Sequence, residues 1–335
     1  MRIIVTGPVF PDSFARNIIV TLQHMGHEVY SFSGTRVLHR QNRWVRRGWQ
    51  QVESALPGLV LARQRKLVRM AREIKPDLVL VSGKEIFREI LAEVKAVIKG
   101  PMVCWYTDSE MHFGAETNLA QSAFLFDIFF TKGPHLVAEL QRRGVNARFL
   151  PEACNPVWHR RVFISEEDRC RYSADIAGIG TLHEWRAQWL EPFCARNVKI
   201  WGDHIPRGVR SPAARCYTHC FVAEEEKAKA LLSAQIVINP IHESEREGVN
   251  CSLFEIAGCG AFQIALWKPT IADNFCPGTE IVTFGTKEEL SDEVDYYLAH
   301  PAKRKEIADR AYGRAHAEHT YERRLQEIFR QIGIS

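Results

Sequence analysis

The stretch QIVINPIHESEREGVNCSLFEIAGCGAFQIAL, residues 235–266, decides the fold. QIVIN is a short β-branched run that stops at Pro240, as a strand does. An acid-rich loop follows. Asn250 then stands as an N-cap before CSLFEIAG, with Gly258 or Gly260 placed to close the helix. AFQIAL, residues 261–266, is a second apolar strand. A strand, a helix and a second strand in this order form a βαβ unit, in which the strands run parallel and the helix crosses over.

The same alternation runs outward in both directions. Upstream, strands are expected at 2–7, 27–32, 77–82, 102–107, 127–131 and 147–151, with amphipathic helices near 13–25, 60–74, 85–98 and 133–143. Downstream, strands are expected at 174–180, 198–202, 235–240, 261–266 and 280–284. Helical patterns near 183–193, 224–233, 251–258, 286–299 and 301–332 accompany them, the last with a break around His319-Thr320. Between the two series, PEACNPVWHRRVFISEED (151–168) carries two prolines and no period. The reading is an α/β protein of two Rossmann-like doubly wound domains. It places an acceptor-side domain at 1–152, a linker at 153–168, a donor domain at 169–312 and a C-terminal helix at 313–335 returning to the first domain. Ligands in such sheets bind at the carboxyl ends of the strands, at the switch in strand order. A cleft between two such domains is the expected site.

Composition narrows the class. The chain has 335 residues, 46% hydrophobic and 25% charged, which excludes disordered and fibrous classes. MRIIVTG lacks the apolar core and cleavage site of a secretory leader, and no apolar run reaches the length of a membrane span. Nine scattered cysteines, with only Cys216 and Cys220 close together, suggest reduced thiols in a cytoplasmic protein rather than a zinc site. From Arg36 to Arg72 there are ten Lys or Arg and one acid, with Trp44 and Trp49 inside the densest part. Such a segment suits an anionic membrane surface, an anionic acceptor, or a solvated face. Nucleic acid is the weaker match, because the rest of the chain is net negative by about 5. TGPVFP, residues 6–11, lacks the spaced glycines of a dinucleotide-binding dehydrogenase.

Residues 247–258 carry the chemistry. A helix start offers free amides and the positive end of a dipole to a phosphate. Gly248 leaves room for a ligand against the loop backbone. Glu255, one turn into the helix, can accept hydrogen bonds from two adjacent hydroxyls. Glu247 precedes it on the loop. Two glutamates at this spacing also occur without function, and an acid near a helix start is favourable by itself. Glu243 and Glu245 read as solvated loop residues, and His319 as a helix-end residue.

The Glu247–Glu255 spacing resembles the E-x7-E element of retaining GT-B glycosyltransferases. Further segments resemble the bacterial spore-maturation-protein (CgeB-type) branch. These are FFTKGPHLVAEL (129–140), LPEACNPVWH (150–159), DIAGIGTLHEWRAQWL (175–190), LFEIAGCGAF (253–262) and EHTYERRLQEIF (318–329). The resemblance implies a GT-B fold and hexosyl transfer from a nucleotide sugar, of UDP or TDP type, with retention and no required metal or other cofactor. It implies Glu247 near the donor sugar and Glu255 on the ribose. Gly180, Arg186, Gly248, Val249, Asn250, Cys251 and Ser252 would surround the diphosphate. The larger retaining family has an Arg directly after the glycine of this strand and a Lys about five positions on. Here Thr181 follows Gly180, so Arg186 alone is carried over, and its rival role is an exposed pairing with Glu184. On the acceptor side stand Gly7 and Pro8, Trp44 and Trp49, and, after a strand, Asp108, Glu110 and His112. Asp108 or His112 can orient or deprotonate an acceptor hydroxyl, and the same turn can instead cap a helix. The acceptor is expected to be a glycan, a lipid-linked sugar or a small molecule, with the protein cytoplasmic or peripheral on the inner membrane face. A sugar-nucleotide epimerase and a non-catalytic binder of nucleotide sugars or nucleic acid are the alternative readings.

Overall fold

The computed structural model describes residues 1–34, 48, 51, 56–113 and 117–334. The expected strands all form: β1 (Arg2–Thr6), β2 (Glu28–Phe32), β3 (Leu78–Val81), β4 (Met102–Tyr106), β5 (Ile128–Thr131), β6 (Ala147–Phe149), β7 (Ala174–Ile179), β8 (Val198–Trp201), β9 (Ala234–Asn239), β10 (Gln263–Leu266) and β11 (Val282–Phe284). They make two wholly parallel sheets, ordered β2-β1-β3-β4-β5-β6 and β11-β10-β9-β7-β8. Parallel strands covered on both faces are apolar throughout, and β3 and β4 are buried along their whole length. The strand order reverses between β1 and β3 in the first sheet and between β7 and β9 in the second.

The chain divides into two compact units, residues 1–151 with those from Leu325 on, and Glu152–Arg324. The core of the first runs from Ile4 and Val79 through Cys104 to Phe129 and Leu136. That of the second gathers Ile176, Leu190, Ile200, Ile238, Ile264 and Phe284. Residues 153–168 are part of the second unit rather than a free linker. The Cys154 amide donates to the His319 carbonyl (2.9 Å) and the Tyr321 amide donates to the Cys154 carbonyl (3.0 Å). His159 is fully buried, and Ser165 caps the helix Glu166–Tyr172 through a capping box with Asp168. No boundary falls near 312, because the helix Pro301–Glu318 runs through it. The break expected at His319-Thr320 separates that helix from Tyr321–Gln331. From Leu325 on, the last helix packs in the first unit, where Phe329 meets His27 edge-to-face at 5.4 Å.

Gly258 and Gly260 have different duties in the Gly-Cys-Gly break. Gly260 ends the helix Cys251–Cys259 in a left-handed conformation (φ +78°). Gly258 lets that helix lie against Cys154, whose Cβ would be 2.6 Å from a Cβ placed there. His319, at the end of Pro301–Glu318, donates from Nε2 to the Asn274 carbonyl (2.7 Å) and accepts at Nδ1 from Arg324 (2.9 Å), which bears out its structural reading.

Candidate active site

The carboxyl ends of β7 and β9 are neighbours at the switch point of the second sheet. Gly180 directly follows β7, and its φ of +104° a side chain would strain. A Cβ there would also lie 2.6 Å from Nη1 of Arg186. Arg186 folds back over this glycine from the first turn of the helix Glu184–Leu190 and donates from Nη1 to the carbonyls of Ile179 (3.0 Å) and Thr181 (3.2 Å). Its Nε is enclosed and has no hydrogen-bond partner. The pairing with Glu184 does not occur: that carboxylate accepts from the Arg210 amide at 2.8 Å instead. Among the described residues no carboxylate pairs with Arg186. Burial pushes its pKa below the usual arginine range, and the proximity of Cys251 and Tyr217 acts the other way. Arg186 as a whole is half-buried, and a guanidinium partly withdrawn from water without a counter-ion is favoured by an arriving anion.

The loop after β9 leads to the helix Cys251–Cys259. Asn239, the last residue of β9, and Asn250, the N-cap, exchange side-chain amide hydrogen bonds of 3.1 and 2.9 Å. Asn250 Oδ1 also accepts from the Leu253 amide (3.2 Å). This double clasp ties the helix start to the strand end, and Cys251, the first residue of the helix, stands close enough to act on the Arg186 charge. Asn239 carries that role without a spacing signal in the sequence. Gly248 and Val249 are buried in the loop. The Glu247 carbonyl accepts from the amide and hydroxyl of Thr270 (3.2 and 2.6 Å), and its half-buried carboxylate makes no hydrogen bond or ion pair among the described residues. Glu243 is exposed as expected, but Glu245 is buried at 6% exposure; its amide donates to the His242 carbonyl and its carbonyl accepts from Lys268.

Glu255 is buried too. Lys227 Nζ donates to its Oε2 at 2.9 Å, and His159 Nε2 lies 3.9 Å from Oε1. The Asn155 amide donates to Nδ1 of His159 (2.9 Å), so the imidazole proton sits on Nε2. Lys227 is a residue that periodicity hides. In EEEKAKALL, residues 224–232, it shares the buried face with Ala228 and Leu231 and reads as an ordinary amphipathic lysine.

Two histidines and a tryptophan lie at the same end of the sheet. His183, just after β7, and His242, in the loop after β9, have ring centroids 6.0 Å apart, and Trp185 lies 5.3 Å from His242.

In the first unit a cavity of about 190 Å³ opens at the carboxyl ends of β1, β3 and β4. Pro8, Phe10, Ser82, Lys84, Trp105 and Asp108 contribute to its wall. Gly7 (φ +143°) lies beneath, where a Cβ would meet Ser82 Oγ at 2.6 Å. Asp108 forms an ion pair with Lys84 (2.9 Å), and both side chains are about half exposed. His112 and Glu110 belong to the short helix Glu110–Phe113. Trp44 and Trp49 lie outside the described residues. All nine cysteines are free thiols.

Residues 184–330 match the family described as glycosyl transferase-like. The spore protein CgeB of Bacillus subtilis is similar at 24% identity over 230 residues, covering 63% of this chain and 69% of that protein. Among solved structures, the sucrose-phosphate synthase of Thermosynechococcus elongatus superposes with a TM-score of 0.69 at 14% identity, covering 99% of both chains. The Anabaena protein HepE, solved with UDP and glucose, gives 0.68 at 13% identity, again over 99% of each. The trehalose 6-phosphate synthase of Burkholderia multivorans gives 0.64 at 11%, over 99% and 98%. These likenesses identify the two-unit architecture as the GT-B fold.

Proposed function

We propose that this chain, which has the GT-B fold, is a glycosyltransferase that moves a hexosyl group from a uridine diphosphate sugar to an acceptor hydroxyl with retention of configuration. The observation that carries the reading is Arg186, a half-buried cation whose enclosed Nε has no partner, with no acid paired to it and with Cys251 at the start of the next helix acting on it. A nucleoside diphosphate supplies the missing anion. HepE, with the same fold, holds UDP-glucose in one of its structures, which favours uridine.

In this reading the bond between the anomeric carbon and the phosphate oxygen breaks, and its electron pair leaves with UDP. Arg186 and the amides from Gly248 to Ser252 meet the charge that develops there. Fixed donors of this kind contribute about 3 kcal/mol each to barrier lowering. They do for the leaving group what a divalent cation does elsewhere, so no metal is required. Glu247 lies toward the sugar, and Glu255, oriented by Lys227, toward the ribose hydroxyls. The acceptor oxygen bonds to the anomeric carbon, and its proton passes to the departing phosphate oxygen on the same face.

The acceptor side is assigned to the cavity at the ends of β1, β3 and β4, with Asp108 in its wall orienting the hydroxyl. The helix Pro57–Ile74 supports a lipid-linked acceptor at an anionic membrane: it exposes Leu59 (63%) near its start and Arg65, Lys66, Arg69 and Arg72 further along. No helix among the described residues is long and apolar enough to cross a membrane.

Calorimetric titration of UDP, TDP and GDP into wild type and Glu255→Gln tests the donor assignment. Micromolar UDP binding that the variant weakens at least tenfold is expected. Failure of all three nucleotides to bind overturns it.

A further inference from the structure

Building on the assignment of Arg186 to the diphosphate, we propose that His183 and His242 complete that site. His242 acts as a fixed neutral donor, and His183 as an imidazole that takes up a proton when the nucleotide binds.

One guanidinium faces a diphosphate that carries more than one negative charge. The position directly after Gly180 is Thr181, which brings no charge. Two imidazoles stand at the same end of the sheet, whereas Lys268 of this neighbourhood is engaged by the Glu245 carbonyl. His183 follows β7 and His242 follows β9, and these two strands are paired in the sheet. Their rings approach to 6.0 Å, and Trp185 packs on His242 at 5.3 Å and on Trp189 at 6.2 Å, which fixes the wall behind them.

The two rings differ in what they can do. Nδ1 of His242 accepts from the Ser244 amide (3.1 Å) and from the Ser244 hydroxyl (2.7 Å). The proton of the neutral ring therefore sits on Nε2, and a second proton on Nδ1 would oppose the Ser244 amide. His242 is thus held as a neutral Nε2–H donor. His183 is exposed, and its ring nitrogens make no hydrogen bond among the described residues. The groups that face it are Arg186 on its own helix, His242 from the loop after β9 and His204 from the loop after β8. The carboxylate of the adjacent Glu184 is engaged by the Arg210 amide.

His183 is exposed at its surface, yet partial desolvation against its neighbours lowers its pKa below the usual histidine value, and the charge of Arg186 lowers it further, followed by His242 and His204. The free protein therefore carries a neutral His183 at pH 7. A diphosphate between Arg186 and His183 reverses the balance, because an adjacent anion favours the charged imidazole. Binding then takes up a proton. Affinity rises as pH falls through neutrality, and levels off below the pKa of His183 in the free protein.

The test is calorimetry of UDP binding at pH 7 in two buffers of different ionisation enthalpy, for wild type and for His183→Gln, His183→Lys and His242→Gln. Differences between proteins cancel the proton of UDP's own terminal phosphate. Wild type is expected to take up more protons than His183→Gln, which binds several-fold more weakly. His183→Lys should bind as tightly as wild type with no extra uptake. His242→Gln should weaken binding roughly tenfold, as loss of a hydrogen bond to a charged group does, while leaving the uptake unchanged. Equal uptake and affinity in wild type and His183→Gln, or unaltered affinity in His242→Gln, overturns the assignment of that histidine. Wild-type UDP binding by Arg186→Met instead sinks the donor reading on which both rest, as does a wild type that does not bind UDP.

Discussion

Arg186→Met separates a ligand-binding cation from a structural one. The substitution keeps an unbranched apolar stem and removes the charge. In the free protein two opposing effects follow. The carbonyls of Ile179 and Thr181 lose their donor, at about 0.5–1.5 kcal/mol each. Against this, a half-buried guanidinium with an enclosed, unbonded Nε no longer has to be partly desolvated, a cost that is some fraction of the several kcal/mol of a fully buried ion. The predicted net change lies within about 1 kcal/mol of zero or slightly favours the variant, a shift in Tm of about 2–4 °C for units of this size. UDP binding responds quite differently. Truncating one partner of a buried charge pair costs about 2–4 kcal/mol, roughly thirtyfold to nearly a thousandfold in Kd. Thermal melts with and without UDP report both quantities. Ligand at about a hundred times its Kd adds about 2.7 kcal/mol of stability, so wild type should gain several degrees and the variant almost none. A variant that loses stability markedly while keeping its UDP-induced shift refutes the reasoning, because Arg186 would then be a packing residue.

Three further outcomes follow from the same geometry. Gly180→Ala is predicted to cost about 1–3 kcal/mol from its positive φ and to weaken UDP binding, since its methyl displaces Nη1 of Arg186; chemical denaturation and calorimetry on one preparation check both. Lys227→Met leaves the Glu255 carboxylate buried without its cation, and should cost about 3–5 kcal/mol, with Lys227→Met/Glu255→Gln recovering much of the loss in a double-mutant cycle. Burial pushes the His319 imidazole down to about 4, below the roughly 6.5 of an unfolded chain. Below pH 6.5 the unfolded state gains a proton that the folded state refuses, so stability is full above that pH and declines toward pH 4 by about 3 kcal/mol. Denaturation midpoints between pH 7 and 4 should show this slope, and His319→Gln should flatten it.

The alternation of short apolar runs with amphipathic stretches was enough to place every strand and the parallel class of both sheets. That holds because the period of a side-chain pattern is a local property, and a strand buried on both faces has a local signature. The helix at 251–259, its cap Asn250 and the glycines that end it were legible for the same reason. Burial and partnership were not. Glu245 and Glu255 look alike as acids near a loop and a helix, and both turn out to be enclosed, one by its own turn and one by Lys227. Lys227 sits 28 positions from Glu255, a separation that no periodicity connects. Residues 153–168 read as a connector because prolines and mixed polarity erase the period, yet Cys154 is bridged to the chain around His319 and Tyr321. The sequence by itself determined which segments are strands and helices, and that Glu247 and Glu255 flank the helix start of one βαβ unit. Only the tertiary structure decided that Arg186 is half-buried without an acid while Glu255 is not without a base, because desolvation and pairing depend on what folds back from distant parts of the chain.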